Sequence, residues 1–198
     1  MKLVGLTGTI GAGKSTVSAY LTKLGARIVD ADLLSRRAAE PGSEGAVRIR
    51  EAFGDSVFFE DGTLDRKKVA SIVFADDAAR EKLNAALHPV IFSMMEAEIE
   101  KFREEDPDGM IVLDVPLLFE SGWDERVEET LVVTAQEEVC LARVIARDGC
   151  THEAAKARLD AQMPAGEKCV RADHVIDNSG TLEELYQQID RWYRGRVC

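Results

Sequence analysis

The sequence has little cysteine, and what it has is scattered. Cys140, Cys150, Cys169 and Cys198 form no Cys-x-x-Cys pair, and His88, His152 and His174 fall in no zinc-ligand spacing. That excludes a disulfide framework and a structural zinc site as organising devices. The thiols read as reduced, which fits a cytoplasmic protein. Long apolar runs are also missing: residues 111–113 and 115–119 are separated by Asp114, so no segment spans a bilayer. Residues 1–6 have the apolar tone of a leader, but the run is too short and meets glycines at once. Basic residues are the minority, 25 Lys and Arg against 36 Asp and Glu, for a net charge of −11. A field of that sign repels polyanions, so neither nucleic acid nor an anionic membrane is expected as a partner. A small anionic ligand stays open wherever cations gather in a cleft. Internal repeats and low-complexity tracts are absent.

What is there is enough for a buried core: 198 residues, 45% hydrophobic. Residues 3–7, 27–30, 110–114, 130–134 and 174–177 read as short strands, apolar on successive positions and followed by helical sequence. Residues 14–24 read as a helix with Val17, Tyr20, Leu21 and Leu24 on one face, stopped by Gly25. Strands apolar on both faces, alternating with helices, predict an α/β fold built on a doubly wound, five-stranded parallel sheet. The rhythm breaks across residues 33–108, which predict a mainly helical insertion able to grip an acceptor. It contains a turn at Glu60, Asp61 and Gly62 and a helical stretch over 75–105. Pro89 inside that stretch predicts a kink or a new helix start. The acidic run 96–108 reads as a solvated helix face and turn, and Met94 and Met95 as core.

The strongest chemical signal is Gly8-Thr9-Ile10-Gly11-Ala12-Gly13-Lys14-Ser15, which fits G-x-x-x-x-G-K-[ST] at every required position. It follows a strand and opens a helix, as its mechanism requires. Glycines let the backbone wrap closely around phosphates, with N–H groups pointing inward and the helix N-terminus adding partial positive charge. Lys14 reaches the β- and γ-phosphates, and Ser15 can ligate Mg²⁺. A nucleoside triphosphate is therefore the expected ligand.

Which phosphate chemistry follows is decided by the other motifs. A GTPase needs Asn-Lys-x-Asp, which is missing, and the Asp177–Gly180 match to a switch loop falls after the last strand. A small-molecule kinase needs an acceptor pocket, a base and cations over the γ-phosphate. Asp30 and Asp32, at the end of the second strand, are the base candidates, because ligands sit beyond the carboxyl ends of such strands. Read as strand residues, the two point to the same side; one of them can instead cap the following helix. Asp114, closing the third strand, has the position of a carboxylate that holds Mg²⁺ through water. Arg143 and Arg147 share a helix face, and with Arg158 they fit a lid that closes on ATP; surface pairing with Glu137, Glu138 or Asp148 is the other reading. Lys14, Arg36, Arg37, Arg66, Arg143 and Arg147 are the cations able to offset the acidic surface near a cleft. A nucleoside or nucleoside monophosphate kinase and an ATP-binding switch remain the competing functions.

Together these residues resemble the dephospho-coenzyme A kinase family over the whole chain. The resemblance is carried by residues 5–16, by Asp30-Ala31-Asp32, by Leu87-His88-Pro89, by Pro116-Leu117-Leu118-Phe119-Glu120, by Arg143, Arg147, Arg158 and Gln162, and by residues 172–180. It implies a fold of the P-loop kinase type and ATP-dependent phosphorylation of the ribose 3′-hydroxyl of dephospho-CoA, with Mg²⁺. It implies Asp32 as base, with Lys14, Arg143 and Arg147 stabilising the transition state. ATP would be bound by Gly8, Gly11, Ala12, Gly13, Lys14, Ser15, Thr16, Arg143 and Asn178, the last near the adenine. The acceptor would meet Asp32, His88, Pro116, Leu117 and Phe119, and the metal Ser15 and Asp114. Residues 33–108 become the acceptor-binding insertion and 144–165 the lid. Thr9 stands where the family more often has Gly, at a position that tolerates substitution. Pro164 predicts an early end to the lid helix.

Overall fold

The computed structural model describes residues 1–196. The inner strands of its sheet are segments with almost no solvent face, while the edge strands, residues 27–30 and 174–177, are partly exposed. β1 (Lys2–Gly8) is buried at every residue after Lys2. It is followed by α1 (Lys14–Lys23), β2 (Arg27–Asp30), α2 (Ala31–Ala38), α3 (Glu44–Phe53), α4 (Arg66–Ala75) and α5 (Asp77–Glu105). β3 (Met110–Asp114), buried throughout, comes next. β4 (Glu129–Thr134), α6 (Glu137–Asp148), α7 (His152–Asp160), α8 (Ala165–Arg171), β5 (His174–Asp177) and α9 (Leu182–Arg194) complete the chain. The strand order is β2-β3-β1-β4-β5, and β1 pairs in parallel with both β3 and β4. β4 likewise pairs in parallel with β5. Strands buried on both faces need helices on both, which gives the five-stranded α/β architecture that the apolar runs predict.

The chain divides into two units, Met1–Val29 with the chain from Phe102 onward, and Asp30–Lys101. In the first, Val17 and Leu21 of α1 and Leu185, Ile189 and Trp192 of α9 close over Val4, Leu6, Val112, Leu131 and Val133 of the sheet. The α9 residues recur at helical spacing, so one stripe is buried while the rest of the helix stays polar. Each fully buried aliphatic side chain stabilises the fold by about 1.5–3 kcal/mol. A capping box between Thr181 and Glu184 starts α9. Tyr20 stacks on Tyr186 with ring centroids 4.0 Å apart, joining α1 to α9. No helix among the described residues is long and apolar enough to cross a membrane.

The amino ends of β1, β4 and β5 carry a charge cluster with a pH consequence. Glu129 accepts from Lys2 Nζ at 2.6 Å and from Arg196 Nε at 2.7 Å, and lies 3.2 Å from His174 Nε2. Burial alone would raise its pKa, but the hydrogen bonds from Lys2 and Arg196 and their charges prevail and lower it to about 2. A carboxylate depressed in the folded state adds stability that is fully present above its unfolded pKa and is lost as pH falls through the folded one. Stability should therefore decline from about pH 4.5 toward pH 2, by at most about 3 kcal/mol from this group. Denaturant melts of Glu129→Gln against wild type should show the difference shrinking over that window; a constant offset would assign the effect elsewhere.

In the second unit, Ala39, Ile49, Val57 and Val69 form the core, with Phe53, Phe58, Leu64, Leu83 and Leu87 around it. Asp30, Ser43 and Asp65 cap α2, α3 and α4 by accepting from the backbone N–H of Leu33, Ala46 and Lys68. The turn read at residues 60–62 joins a short antiparallel bridge between Phe58 and Leu64. The new helix start expected at Pro89 does not occur, since α5 runs unbroken through it. Proline removes one N–H from the ladder and crowds the carbonyl one turn back, but buried Ala86, Val90, Met95 and Ile99 hold the helix on both sides. Cys140, Cys150 and Cys169 carry free thiols; Cys198 lies outside the described residues.

Candidate active site

The loop between β1 and α1 adopts a conformation that only glycine allows at two points. Gly11 and Gly13 have φ of +78° and +94°, in the left-handed region. Space forbids a side chain as well: a Cβ at Gly11 would strike the Cys140 carbonyl, and one at Gly13 the Asn178 amide. α1 then begins without any side-chain cap, with Gly13 at the cap position. Its first backbone N–H groups are not taken by a capping side chain, which suits them, with the helix's partial positive charge, to bind an anion.

Groups from three other elements hold this loop. Asn178, buried just after β5, donates its Nδ2 to the Ala12 carbonyl at 2.8 Å. Its own backbone N–H donates to the Thr134 carbonyl at 2.7 Å, tying it to the end of β4. Arg143 of α6 donates to the Asn178 carbonyl at 3.0 Å and to the Gly11 and Ala12 carbonyls at 3.4 and 3.5 Å. Gln162, between α7 and α8, accepts from the Ile10 N–H at 2.9 Å. The loop is thus gripped by its carbonyls on one side and by an N–H on the other.

Lys14, first residue of α1, pairs with Asp114 at the end of β3. Asp114 is only 5% exposed, so its carboxylate is stabilised by that ammonium in a setting where an uncompensated charge is costly. Ser15 and Asp114 supply a hydroxyl and a carboxylate, the hard oxygen donors that suit Mg²⁺. Asp148 gathers two arginines: Arg147 Nε donates at 2.7 Å and Arg158 Nη1 at 2.6 Å. These hydrogen bonds, Arg147 first, lower the Asp148 pKa. Both arginines therefore engage a neighbouring carboxylate here, while Arg143 engages the phosphate loop. Pro164 stands at the N-cap of α8, and α7 already ends at Asp160. Beside the loop lies a cavity of about 220 Å³ lined by Thr9, Cys140, Leu159, Gln162, Met163 and Pro164. Burial raises the Cys140 pKa, so that thiol stays neutral.

The segment after β3 is anchored to β1 where it leaves the strand. The Val115 N–H donates to the Leu6 carbonyl at 2.9 Å, and Thr7 Oγ1 to the Pro116 carbonyl at 2.9 Å. Leu118 and Phe119 are buried while Leu117 is exposed, and Arg171 lies over the Phe119 ring, 4.6 Å from its centroid.

In the second unit, Asp30 and Asp32 are not equivalent strand residues. The strand ends at Asp30, whose carboxylate accepts from the Leu33 N–H at 2.9 Å as the helix cap. Asp32 sits in the first turn of α2 and is exposed, so the same-side rule for strand residues does not apply to the pair. His88 stacks on Phe92, with centroids 5.4 Å apart, on α5.

A parallel sheet in this order, a glycine loop leading from its central strand into a helix, and a lysine opening that helix define a nucleotide-binding protein of the P-loop kinase class. The family model for dephospho-CoA kinase matches residues 2–184. The chain belongs to the dephospho-CoA kinase family. It is 44% identical over 194 residues to the dephospho-CoA kinase of Symbiobacterium thermophilum, covering 98% of this chain and 81% of that one. It is 43% identical over 196 residues to that of Geobacter sulfurreducens, covering 99% of each. Among solved structures, dephospho-CoA kinase from Campylobacter jejuni matches with a TM-score of 0.68 at 25% identity, over 99% of this chain and 97% of that one. A shikimate kinase from Bacteroides thetaiotaomicron shares the fold, with a TM-score of 0.50 at 16% identity over 98% and 96% of the two chains.

Sequence reasoning missed Lys168 altogether and assigned no role to Glu120, although these two charges meet beneath the segment after β3. Nothing in the sequence around Lys168 marks it, because its partner is distant along the chain.

Proposed function

We propose that this chain transfers the γ-phosphoryl group of ATP to the ribose 3′-hydroxyl of dephospho-CoA, giving coenzyme A and ADP. The observation that carries this reading is the preset phosphate loop with Lys14 at its exit, in a chain of the dephospho-CoA kinase family. Gly8, Gly11, Ala12, Gly13, Lys14, Ser15 and Thr16 bind the triphosphate through backbone N–H groups and the Lys14 ammonium. Ser15 and Asp114 hold Mg²⁺, which when bound neutralises part of the phosphate charge. Asn178 and Arg143 serve ATP from the loop side, where they already fix the Ala12 carbonyl. Arg143 and Arg147 stabilise the charge spread over the transferred group, residues 144–165 acting as a lid. For Arg147 this requires leaving Asp148.

Asp32 accepts or orients the hydroxyl proton. Its carboxylate caps no helix, in contrast to Asp30, and so is available for that role. His88, Pro116, Leu117 and Phe119 contact the acceptor, and residues 33–108 form the domain that receives it. This chemistry belongs in the cytoplasm, where ATP is supplied.

ADP release from Mg-ATP is the test, run with dephospho-CoA, adenosine, AMP, CMP and no acceptor. Turnover confined to dephospho-CoA, with a mass gain of one phosphate, is the expected result. Turnover on a nucleoside or monophosphate instead would keep the ATP site and overturn the acceptor.

A further inference from the structure

Lys168 is fully buried, at 0% exposed, and phosphoryl transfer as described above gives it no part. An ammonium withdrawn from water is costly unless it is paired and hydrogen-bonded. Here it lies 2.9 Å from Glu120 Oε1 and 3.2 Å from Oε2, and donates to the Pro116 carbonyl at 3.1 Å. Glu120 Oε1 also accepts from the Met163 backbone N–H at 3.2 Å. The residue before Met163 is Gln162, whose side chain takes the Ile10 N–H of the phosphate loop. The Pro116 carbonyl in turn accepts from Thr7, two residues before Thr9. One buried cation therefore ties together the end of β1, the segment after β3 and the connection between α7 and α8.

We propose that the Lys168–Glu120 pair is a positioning device for the phosphate loop: it fixes the 161–164 connection so that Gln162 holds the Ile10 N–H and presets the loop for triphosphate. The loop's glycines supply no conformational preference of their own, so its shape has to be imposed from outside. Arg143 and Asn178 fix the Gly11 and Ala12 carbonyls; Gln162 is the grip on the preceding residue, Ile10. A carboxylate suits the linking position because one group can accept from an ammonium and a backbone N–H together. An apolar pair of equal volume could match its stability but could not direct the Met163 N–H. A preset loop spends less ordering entropy on binding, so the effect falls on nucleotide affinity.

This inference rests on the nucleotide-binding part of the proposed function and not on the acceptor. A double-mutant cycle read by calorimetry with Mg-ATP tests it. Gln162→Met should weaken Mg-ATP binding about five- to tenfold, the loss of one hydrogen bond. Lys168→Met should weaken it by a similar factor, and the double variant no further, because both act through the Ile10 contact. Glu120→Gln leaves the buried Lys168 ammonium without its counter-charge and should lower the melting temperature, but it keeps an acceptor for the Met163 N–H, so the folded variant should bind Mg-ATP within about threefold of wild type. Additive losses in the double variant would mean that Lys168 acts on affinity by a route other than Gln162, and wild-type affinity in a folded Lys168→Met would leave the pair a role in stability alone; either result overturns the proposal. Wild-type affinity in Gln162→Met overturns the proposal by itself, which keeps the test decisive should Lys168→Met not fold. A wild-type chain that binds Mg-ATP but does not phosphorylate dephospho-CoA overturns the acceptor assignment and leaves this cycle readable.

Discussion

Asp32→Asn is expected to lower turnover by about 10²–10⁴-fold, the range for loss of a general base, while Mg-ATP binds as in wild type. The two halves of that result have separate physical origins. An amide matches the carboxylate in size and can still accept a hydrogen bond, but it cannot take a proton from the acceptor hydroxyl. The binding of ATP depends on the phosphate loop, whose grips are Arg143, Asn178 and Gln162. Asp32 is exposed and caps nothing, so the substitution should leave folding intact, which a thermal melt will check. Single-turnover rates and calorimetry on one preparation decide the case. A fall in ATP affinity equal to the fall in rate would make Asp32 a structural or metal-holding residue. The same substitution at Asp30 should behave differently: Asp30 caps α2, and asparagine is as good a cap as aspartate.

Lys14→Met is expected to lower turnover by at least about 10²-fold and, unlike Asp32→Asn, to weaken Mg-ATP binding as well. The ammonium is the cation at the exit of the phosphate loop, so it touches charge in both the ground state and the transition state. Its removal also takes away the partner of Asp114, which lies 5% exposed at the end of β3. A buried carboxylate that loses its cation destabilises the fold by several kcal/mol at most. Lys14→Met combined with Asp114→Asn should therefore recover thermal stability and recover no activity. Recovery of activity in that pair would show that Lys14 serves chiefly to neutralise Asp114. Steady-state kinetics and melting curves on the two variants separate the outcomes.

The sheet was legible because its strands are apolar on successive residues. Residues 110–114 have no polar face to offer water, and β3 is buried from end to end. The phosphate loop was legible for a related reason: it is a local motif in which glycines, lysine and serine must stand at fixed spacing on one continuous backbone. The unbroken course of α5 through Pro89 was not legible, because a local rule for proline says nothing of the burial on either side of it. The pairing of Asp30 and Asp32 as strand residues failed for a like reason. Where β2 stops is set by the cap that Asp30 makes to Leu33, a competition between strand and helix too fine for periodicity to decide.

Among the candidate site residues, the sequence located the groups and the fold allotted their partners. Arg143 and Arg147 stand four residues apart on α6, yet one grips the phosphate loop and the other pairs with Asp148. Asn178 was singled out by resemblance for the adenine side, and in the folded chain its amide holds the Ala12 carbonyl.

What the sequence determined by itself is whatever depends on near neighbours: the strands, the helices and their caps, and a loop able to wrap a phosphate. What only tertiary structure decided is where buried charge finds its complement. Lys168 meets Glu120, and Gln162 meets Ile10, across separations that no local pattern encodes. A side chain's helical or strand preference acts over a few residues, whereas the cost of an unpaired buried charge is settled only when distant segments of the chain come together.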